Sequence, residues 1–120
     1  MEKDISVEYL RVAESFSKYL SAEMGDRIDA IIIYGSVARK EARKDSDIDL
    51  MIVTKYANDV RFLRKLYHVK TTFEQLEDFR FLISLFTITP EMLKKEKRMN
   101  TPFISNVKND AIKLYGKTAI

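Results

Sequence analysis

Two aspartates separated by one residue, Asp47 and Asp49, are the side chains of this sequence best suited to bind a cation. Residues two apart on a β-strand share a face, so their carboxylates lie side by side. Adjacent carboxylates repel each other and destabilise an apolar strand unless a cation compensates them. Their expected ligand is Mg²⁺, with Mn²⁺ as a substitute. The alternative is that both are only hydrated, at the frayed start of a strand.

A glycine and a serine, Gly35 and Ser36, follow a short apolar run and precede the aspartates. Glycine lets a ligand approach the backbone closely, and free N–H groups at a helix start can hold phosphate oxygens together with the serine hydroxyl. Arg39 and Arg43 are four residues apart, which predicts cationic contacts to phosphate from one face of the same helix. By itself a Gly-Ser pair after a strand is more often a plain turn, so the aspartates decide this interpretation.

The hydrophobic pattern predicts an α/β domain in the order α-β-α-β-α-β-α-α, with helices packed on a small mixed β-sheet. Helices are predicted over residues 5–24, 37–44 and 59–75, and strands over residues 28–34, 47–54 and 80–89. At Thr89-Pro90 and Thr101-Pro102 a capping hydroxyl precedes a proline at the first helical position, so two more helices should begin there. The last of these is expected to end at Gly116.

Composition limits the classes of protein to which the chain can belong. Its 120 residues suit one domain over 1–120, and the absence of cysteine excludes a disulfide scaffold, a thiolate zinc site and a cysteine nucleophile. The apolar runs are too short for a membrane span, so we expect a cytoplasmic protein with no membrane contact. Residues 30–120 carry seventeen bases and eleven acids, which favours an anionic partner. Nucleic acid is disfavoured as that partner, because no aromatic residues interleave with the basic ones.

The segment GSVARKEARKDSDIDL, from Gly35 to Leu50, resembles the hallmark of the nucleotidyltransferase superfamily that includes DNA polymerase beta. In that hallmark ten residues separate Gly-Ser from Asp-x-Asp. The segment is most similar to the small prokaryotic proteins of the minimal type, and a looser similarity extends to Leu114-Tyr115-Gly116. The resemblance implies the nucleotidyltransferase fold and transfer of a nucleoside monophosphate from an NTP, with two Mg²⁺ ions held by three carboxylates.

By position, the resemblance places Gly35 and Ser36 on the triphosphate and Asp47 and Asp49 on the metals. The third carboxylate of the family is missing, because Ser84 stands where it is expected. Serine carries no charge and cannot act as a base near pH 7. The alternative is that one of the two acids just before that strand replaces it, namely Glu77 or Asp78. Without a replacement, we expect NTP binding to survive and transfer to be weak or absent.

The leading hypothesis is a minimal nucleotidyltransferase that binds ATP with Mg²⁺ and transfers AMP to a hydroxyl of a macromolecular partner. Family resemblance suggests a small all-helical HEPN-type toxin as that partner, with a modified tyrosine, and this chain as the antitoxin. The second hypothesis is a degenerate nucleotide-binding or antitoxin-like protein that acts by contact alone. The sequence leaves open the base preference, the acceptor and whether the chain forms a homo-oligomer.

Overall fold

The computed structural model describes residues 5–117 and begins with a long helix, α1 (Ile5–Met24), followed by one turn of 3-10 helix (Gly25–Arg27). The elements that follow, in chain order, are β1 (Ala30–Tyr34), α2 (Gly35–Ala38), β2 (Ile48–Val53), α3 (Val60–Leu76), β3 (Ile83–Ile88), α4 (Pro90–Met99), α5 (Pro102–Asp110) and β4 (Ile112–Gly116). Over residues 5–117, no helix is both long and apolar enough to cross a membrane.

The four strands within the described residues form one mixed sheet in the order β3-β2-β1-β4. Strand β1 is antiparallel to both β2 and β4, whereas β2 and β3 are parallel. Helix α3 supplies the crossover that a parallel pair requires. This architecture confirms the predicted fold class, an α/β domain with helices on a small mixed sheet.

Helices cover both faces of the sheet, and the alternation of side chains along β1 shows how. Ile31 and Ile33 belong to the core formed with α1 and α3, whereas Ala30 and Ile32 belong to a second core beneath α4 and α5. Burial on both faces explains why this strand is an unbroken apolar run. On β2, Met51 packs in the second core. Since residues two apart share a face, Asp49 lies on the α4 and α5 side of the sheet.

The two predicted proline-started helices are confirmed, together with their caps. The Thr89 hydroxyl accepts the N–H of Met92 at 3.1 Å, and the Thr101 hydroxyl accepts the N–H of Ile104 at 3.3 Å. Each cap satisfies a backbone donor that the first helical turn leaves without a partner. The predicted helices over 5–24 and 59–75 and all three predicted strands are also present, with the strand ends shortened.

The prediction that the last helix extends to Gly116 is wrong. Helix α5 ends at Asp110, and the backbone of Ala111 is extended, with φ −61° and ψ 134°. The chain then pairs with β1 as strand β4, opposite Ile31 and Ile33. Without β4 this side of β1 would be an unpaired edge, and an apolar edge with free N–H and C=O groups is costly. Sheet pairing therefore outweighs the helical spacing of the apolar residues.

The prediction of a basic helix over residues 37–44 is also wrong. Helix α2 is one turn long and ends at Ala38, and Lys40 has a φ of +63°. A left-handed residue cannot continue a right-handed helix. Beyond it the loop is held by side chains: the Ser6 hydroxyl accepts the N–H of Ala42 at 3.0 Å, and the Ser46 hydroxyl accepts that of Arg43 at 2.8 Å.

Gly116 provides a test of the β1–β4 pairing. Its φ is +94°, and a Cβ at this position would lie 2.0 Å from the carbonyl oxygen of Asp29. We expect Gly116→Ala to lower the free energy of unfolding by about 2–4 kcal/mol, because the backbone strain and the clash act together. The measurement is urea unfolding followed by circular dichroism.

The matched control is Gly25→Ala. Gly25 also has a positive φ, +65°, but a Cβ there would meet no described atom within 4 Å. The free energy of unfolding of the control should fall only by the cost of a left-handed alanine, about 1–2 kcal/mol. Equal losses in the two variants would contradict the close packing of β4 on the chain before β1.

Candidate functional site

The site is built around the point where β1 ends beside the start of β2. Tyr34 is paired with Asp49 in the antiparallel register, so the next residue, Gly35, turns directly over the Asp49 side chain. Gly35 has a φ of +79°, and a Cβ there would lie 2.4 Å from Asp49 Oδ2. Only glycine fits both the backbone conformation and the contact. The sheet register thus brings the predicted Gly-Ser turn against one of the two predicted aspartates.

A cleft of about 370 Å³ opens at this point, between the β1–α2 turn and α5. Its lining residues are Tyr34, Gly35, Ser36, Arg39, Asp49, Phe103, Asn106, Val107 and Asp110. Phe103 fixes the position of α5, because its ring packs edge-on against Tyr34, at 6.0 Å between centroids, and at a tilt against Phe86, at 5.0 Å. Tyr34 is half-buried at the border of this cleft.

The α5 wall of the cleft was missed by sequence reasoning. Phe103, Asn106 and Asp110 recur at intervals of three and four, which places them on one face of a helix. That spacing was the available signal. The pattern does not show which face of the sheet the helix covers, and the helix was expected to continue past its true end.

Helix α2 begins at the Gly-Ser pair that was predicted to bind phosphate. It has four residues, and no described side chain caps its start at Tyr34. A single turn has little dipole, so an anion here would depend on the local N–H groups and the half-buried Ser36 hydroxyl. Contact with phosphate would therefore come from short-range hydrogen bonds.

Asp49 is half-buried, and its environment disfavours the charged form. Burial raises the pKa of Asp49 above its ordinary value, the Asp47 charge raises it further, and Arg39 lowers it. Burial and the Asp49 charge also raise the pKa of the Tyr34 hydroxyl. The described side chains thus do not fully balance the negative charge of an ionised Asp49. A bound cation would balance it.

Asp47 lies just before β2 and is exposed, so it is outside the strand on which it was expected. The charge of Asp47 contributes to the raised pKa of Asp49. It lines a different cavity, of about 380 Å³, at the β3 edge. The other residues around that cavity are Tyr67, Lys70, Glu74, Leu82, Ile83, Ser84 and Leu85. The two aspartates therefore line different cavities.

Ser84 is the residue of β3 paired with Asp49 in the parallel register, and it is exposed. A hydroxyl thus occupies the sheet position beside Asp49. Glu77, weighed above as a substitute carboxylate, caps the end of α3 and pairs with Arg80 at 3.3 Å. Asp78 lies in the turn before β3, with a φ of +56°. Neither of these acids lines either cavity.

The donor set fits one hard cation and not the complete metal centre of the family. Within residues 5–117, no three His, Cys, Asp or Glu side chains are grouped closely enough to hold a metal. Two neighbouring carboxylates suit Mg²⁺, which fills the rest of its shell with water and substrate phosphate. Asp47 and Asp49 would be its protein ligands.

The two predicted phosphate-binding arginines are placed differently. Arg39 lines the cleft, where its Nη1 donates to Asp110 Oδ2 at 3.0 Å and its Nε to Glu41 Oε2 at 3.1 Å. These hydrogen bonds, that of Glu41 first, raise the pKa of Arg39. Arg43 is exposed in the loop beyond α2 and does not line the cleft. The interpretation that both extend from one helix is therefore wrong.

Comparison with known proteins identifies the family of this chain. The polymerase beta nucleotidyltransferase family model matches residues 14–118, so the chain belongs to that family. A protein of Methanocaldococcus jannaschii, provisionally named a protein adenylyltransferase, is 25% identical over 108 residues, which are 90% of this chain and all of the relative.

Solved structures show the same fold. One, provisionally named a minimal nucleotidyltransferase, is 26% identical with a TM-score of 0.56, over 92% of this chain and 98% of the other. Another belongs to the tri-AMPylated HEPN toxin of Shewanella oneidensis in complex with its MNT antitoxin. It is 15% identical with a TM-score of 0.53, over 89% of this chain and 72% of that one. The predicted nucleotidyltransferase fold is confirmed.

The raised pKa of Asp49 gives a prediction for stability. At pH values below the ordinary pKa of 3.8, the carboxyl is protonated whether or not the chain is folded. As the pH rises through the higher pKa of the folded state, ionisation destabilises the fold. In metal-free buffer at pH 7, Asp49→Asn should therefore raise Tm by about 1–3 °C, a small rise because solvent screens this half-buried group.

The measurement is thermal unfolding at pH 7 and at pH 4, where the gain should shrink. The control is Asp26→Asn, which removes an exposed carboxylate from the turn after α1 and should leave Tm unchanged. A lower Tm for Asp49→Asn at pH 7 would show that Asp49 stabilises the metal-free fold, against this account.

Proposed function

We propose that this chain binds ATP with Mg²⁺ in the cleft beside β1 and transfers AMP to a hydroxyl of a partner protein. The observation that supports this most is the contact between Gly35 and Asp49, because it joins the turn that would bind phosphate to a carboxylate that would bind the metal. Family membership gives the reaction class, transfer of a nucleotide. A location in the cytoplasm remains a prediction from the sequence.

Different residues of the chain would bind the phosphates and the metal ion. Backbone N–H groups at Gly35 and Ser36, with the Ser36 hydroxyl, would bind phosphate oxygens, and Arg39 would add a cation from the same wall. Asp47 and Asp49 would hold Mg²⁺. When bound, Mg²⁺ would neutralise charge that develops on the phosphate during transfer.

Transfer forms a bond from the acceptor oxygen to the α-phosphorus and breaks the bond to the β-phosphate oxygen, so pyrophosphate leaves. The acceptor must also lose its proton. Ser84, beside Asp49, cannot take that proton at neutral pH. The rate then depends on the acidity of the acceptor itself, and this favours a phenol over an aliphatic alcohol, because the pKa of tyrosine is only about 10.

A protein acceptor agrees with the relatives. One is named for adenylylation of proteins, and a structural neighbour is an antitoxin in complex with its AMPylated HEPN toxin. By analogy, this chain would be the antitoxin that modifies a tyrosine of a small helical HEPN-type partner. Its compact core leaves little surface for binding an acceptor, so the partner would complete the acceptor side.

One observation favours a second candidate, a nucleotide-binding antitoxin without catalysis. The hydroxyl of Ser84 lies in register with Asp49, and the carboxylates at Glu77 and Asp78 do not line the site. Such a protein would retain nucleotide binding and block its partner by contact.

Transfer of radiolabel from the α-phosphate of ATP tests both candidates. With Mg²⁺ or Mn²⁺ and a HEPN-type partner, the natural chain should label the partner, and Asp47→Asn should lower the rate at least about a hundredfold. Ser84→Asp should raise the rate about tenfold or more, because it adds a carboxylate beside Asp49.

The matched control is Ser15→Asp, which adds the same charge at an exposed position of α1 and should leave labelling unchanged. If the natural chain and Ser84→Asp both bind nucleotide but neither labels the partner, the enzyme hypothesis is overturned in favour of the nucleotide-binding antitoxin without catalysis.

A further inference from the structure

Asp110 lines the cleft but has no role in the proposed reaction. It is the last residue of α5, its side chain is only 18% exposed, and its Oδ2 accepts from Arg39 Nη1 at 3.0 Å. The pair joins residues 71 positions apart across the mouth of the cleft. Glu41, in contrast, is 67% exposed and binds the other side of the same guanidinium from a neighbouring loop position.

The position of Asp110 explains why it needs a cation. A helix ends with unpaired carbonyl groups and a partial negative charge, so a carboxylate in the last turn is disfavoured. Arg39 offsets this repulsion. Removing Arg39 from the pair would leave a mostly buried carboxylate at the negative end of α5.

The same guanidinium is the cation that lines the cleft beside Gly35 and Ser36. Its donors to Asp110 and Glu41 are Nη1 and Nε. A bidentate contact with phosphate uses either Nη1 with Nη2 or Nε with Nη2, so each edge includes one donor that a carboxylate holds. Phosphate on the Nη1–Nη2 edge therefore competes with Asp110, and phosphate on the Nε–Nη2 edge competes with Glu41. Binding of a polyphosphate requires an exchange of partners.

On the basis of the proposed function, we propose that Asp110 lowers the affinity of the cleft for nucleotide, because it competes with the triphosphate for Arg39. A nucleoside triphosphate carries enough charge to displace the carboxylate. Leaving Asp110 without its partner costs free energy, which makes the free energy of nucleotide binding less favourable. Adenosine has no phosphate and carries no such cost. Asp110 thus lowers affinity only for ligands that draw Arg39 away.

The test is calorimetric titration of a non-hydrolysable ATP analogue with Mg²⁺ into the full chain. Asp110→Asn keeps the shape of the side chain and removes its charge, and it should tighten binding about two- to fivefold, because solvent at the partly exposed Arg39 screens the ion pair. In the Arg39→Gln background the same substitution should change affinity much less, since nothing is left to compete for.

Two controls accompany this comparison of single and double variants. Glu14→Gln removes an exposed carboxylate from α1 and should leave affinity unchanged. Circular dichroism and Tm verify that each variant is folded.

The outcomes separate this inference from the proposed function. Weaker or unchanged binding by Asp110→Asn overturns the competition, and weaker binding would mark Asp110 as a direct contact of the nucleotide. Equal tightening in both backgrounds also overturns it, because the charge would then act on the ligand without Arg39. If neither the natural chain nor any variant binds the analogue, the proposed function itself is wrong and the inference falls with it.

Discussion

The contact between the backbone of Gly35 and the carboxylate of Asp49 is the constraint on which the rest of the site depends. It exists because Tyr34 and Asp49 are partners in the β1–β2 register, and that register is held by isoleucines buried on both faces of the sheet. A slip by one residue would turn Asp49 into the core beneath α1 and α3. The fold therefore fixes the site through its most buried strands, and glycine is the residue that lets the backbone turn over a carboxylate.

The site carries charge that the fold does not fully compensate. The pKa of Asp49 is raised by burial and by its neighbour Asp47, and Arg39 is engaged by Asp110 and Glu41. Such arrangements are common at functional sites, where a ligand supplies what the protein lacks. Here a cation would compensate the aspartates, and an anion would compete for the arginine. A metal-bound triphosphate supplies both, so one ligand would resolve both imbalances.

The sequence predicts the parts of this site that depend on local chemistry. Gly35-Ser36, Asp47 and Asp49 stand out by residue type and spacing, and the proline-started helices are confirmed because Thr89 and Thr101 satisfy their caps locally. The errors concern long-range structure. Strand β4 forms because β1 has a free edge, Lys40 ends α2 with a left-handed turn, and α5 reaches the cleft through the packing of Phe103 on Tyr34. None of these follows from periodicity, because each depends on a surface built by a distant segment.

We propose that Asp49 and the Gly35 turn form one site for a metal-bound nucleotide. Its most direct test is calorimetric titration of a non-hydrolysable ATP analogue into the natural chain and Asp49→Asn, each with Mg²⁺ and with EDTA. We expect Mg²⁺ to tighten binding to the natural chain at least about tenfold, about 1.4 kcal/mol, and to have no effect on Asp49→Asn. Equal affinity of the natural chain with and without Mg²⁺, or an Mg²⁺ effect that survives in Asp49→Asn, would contradict it.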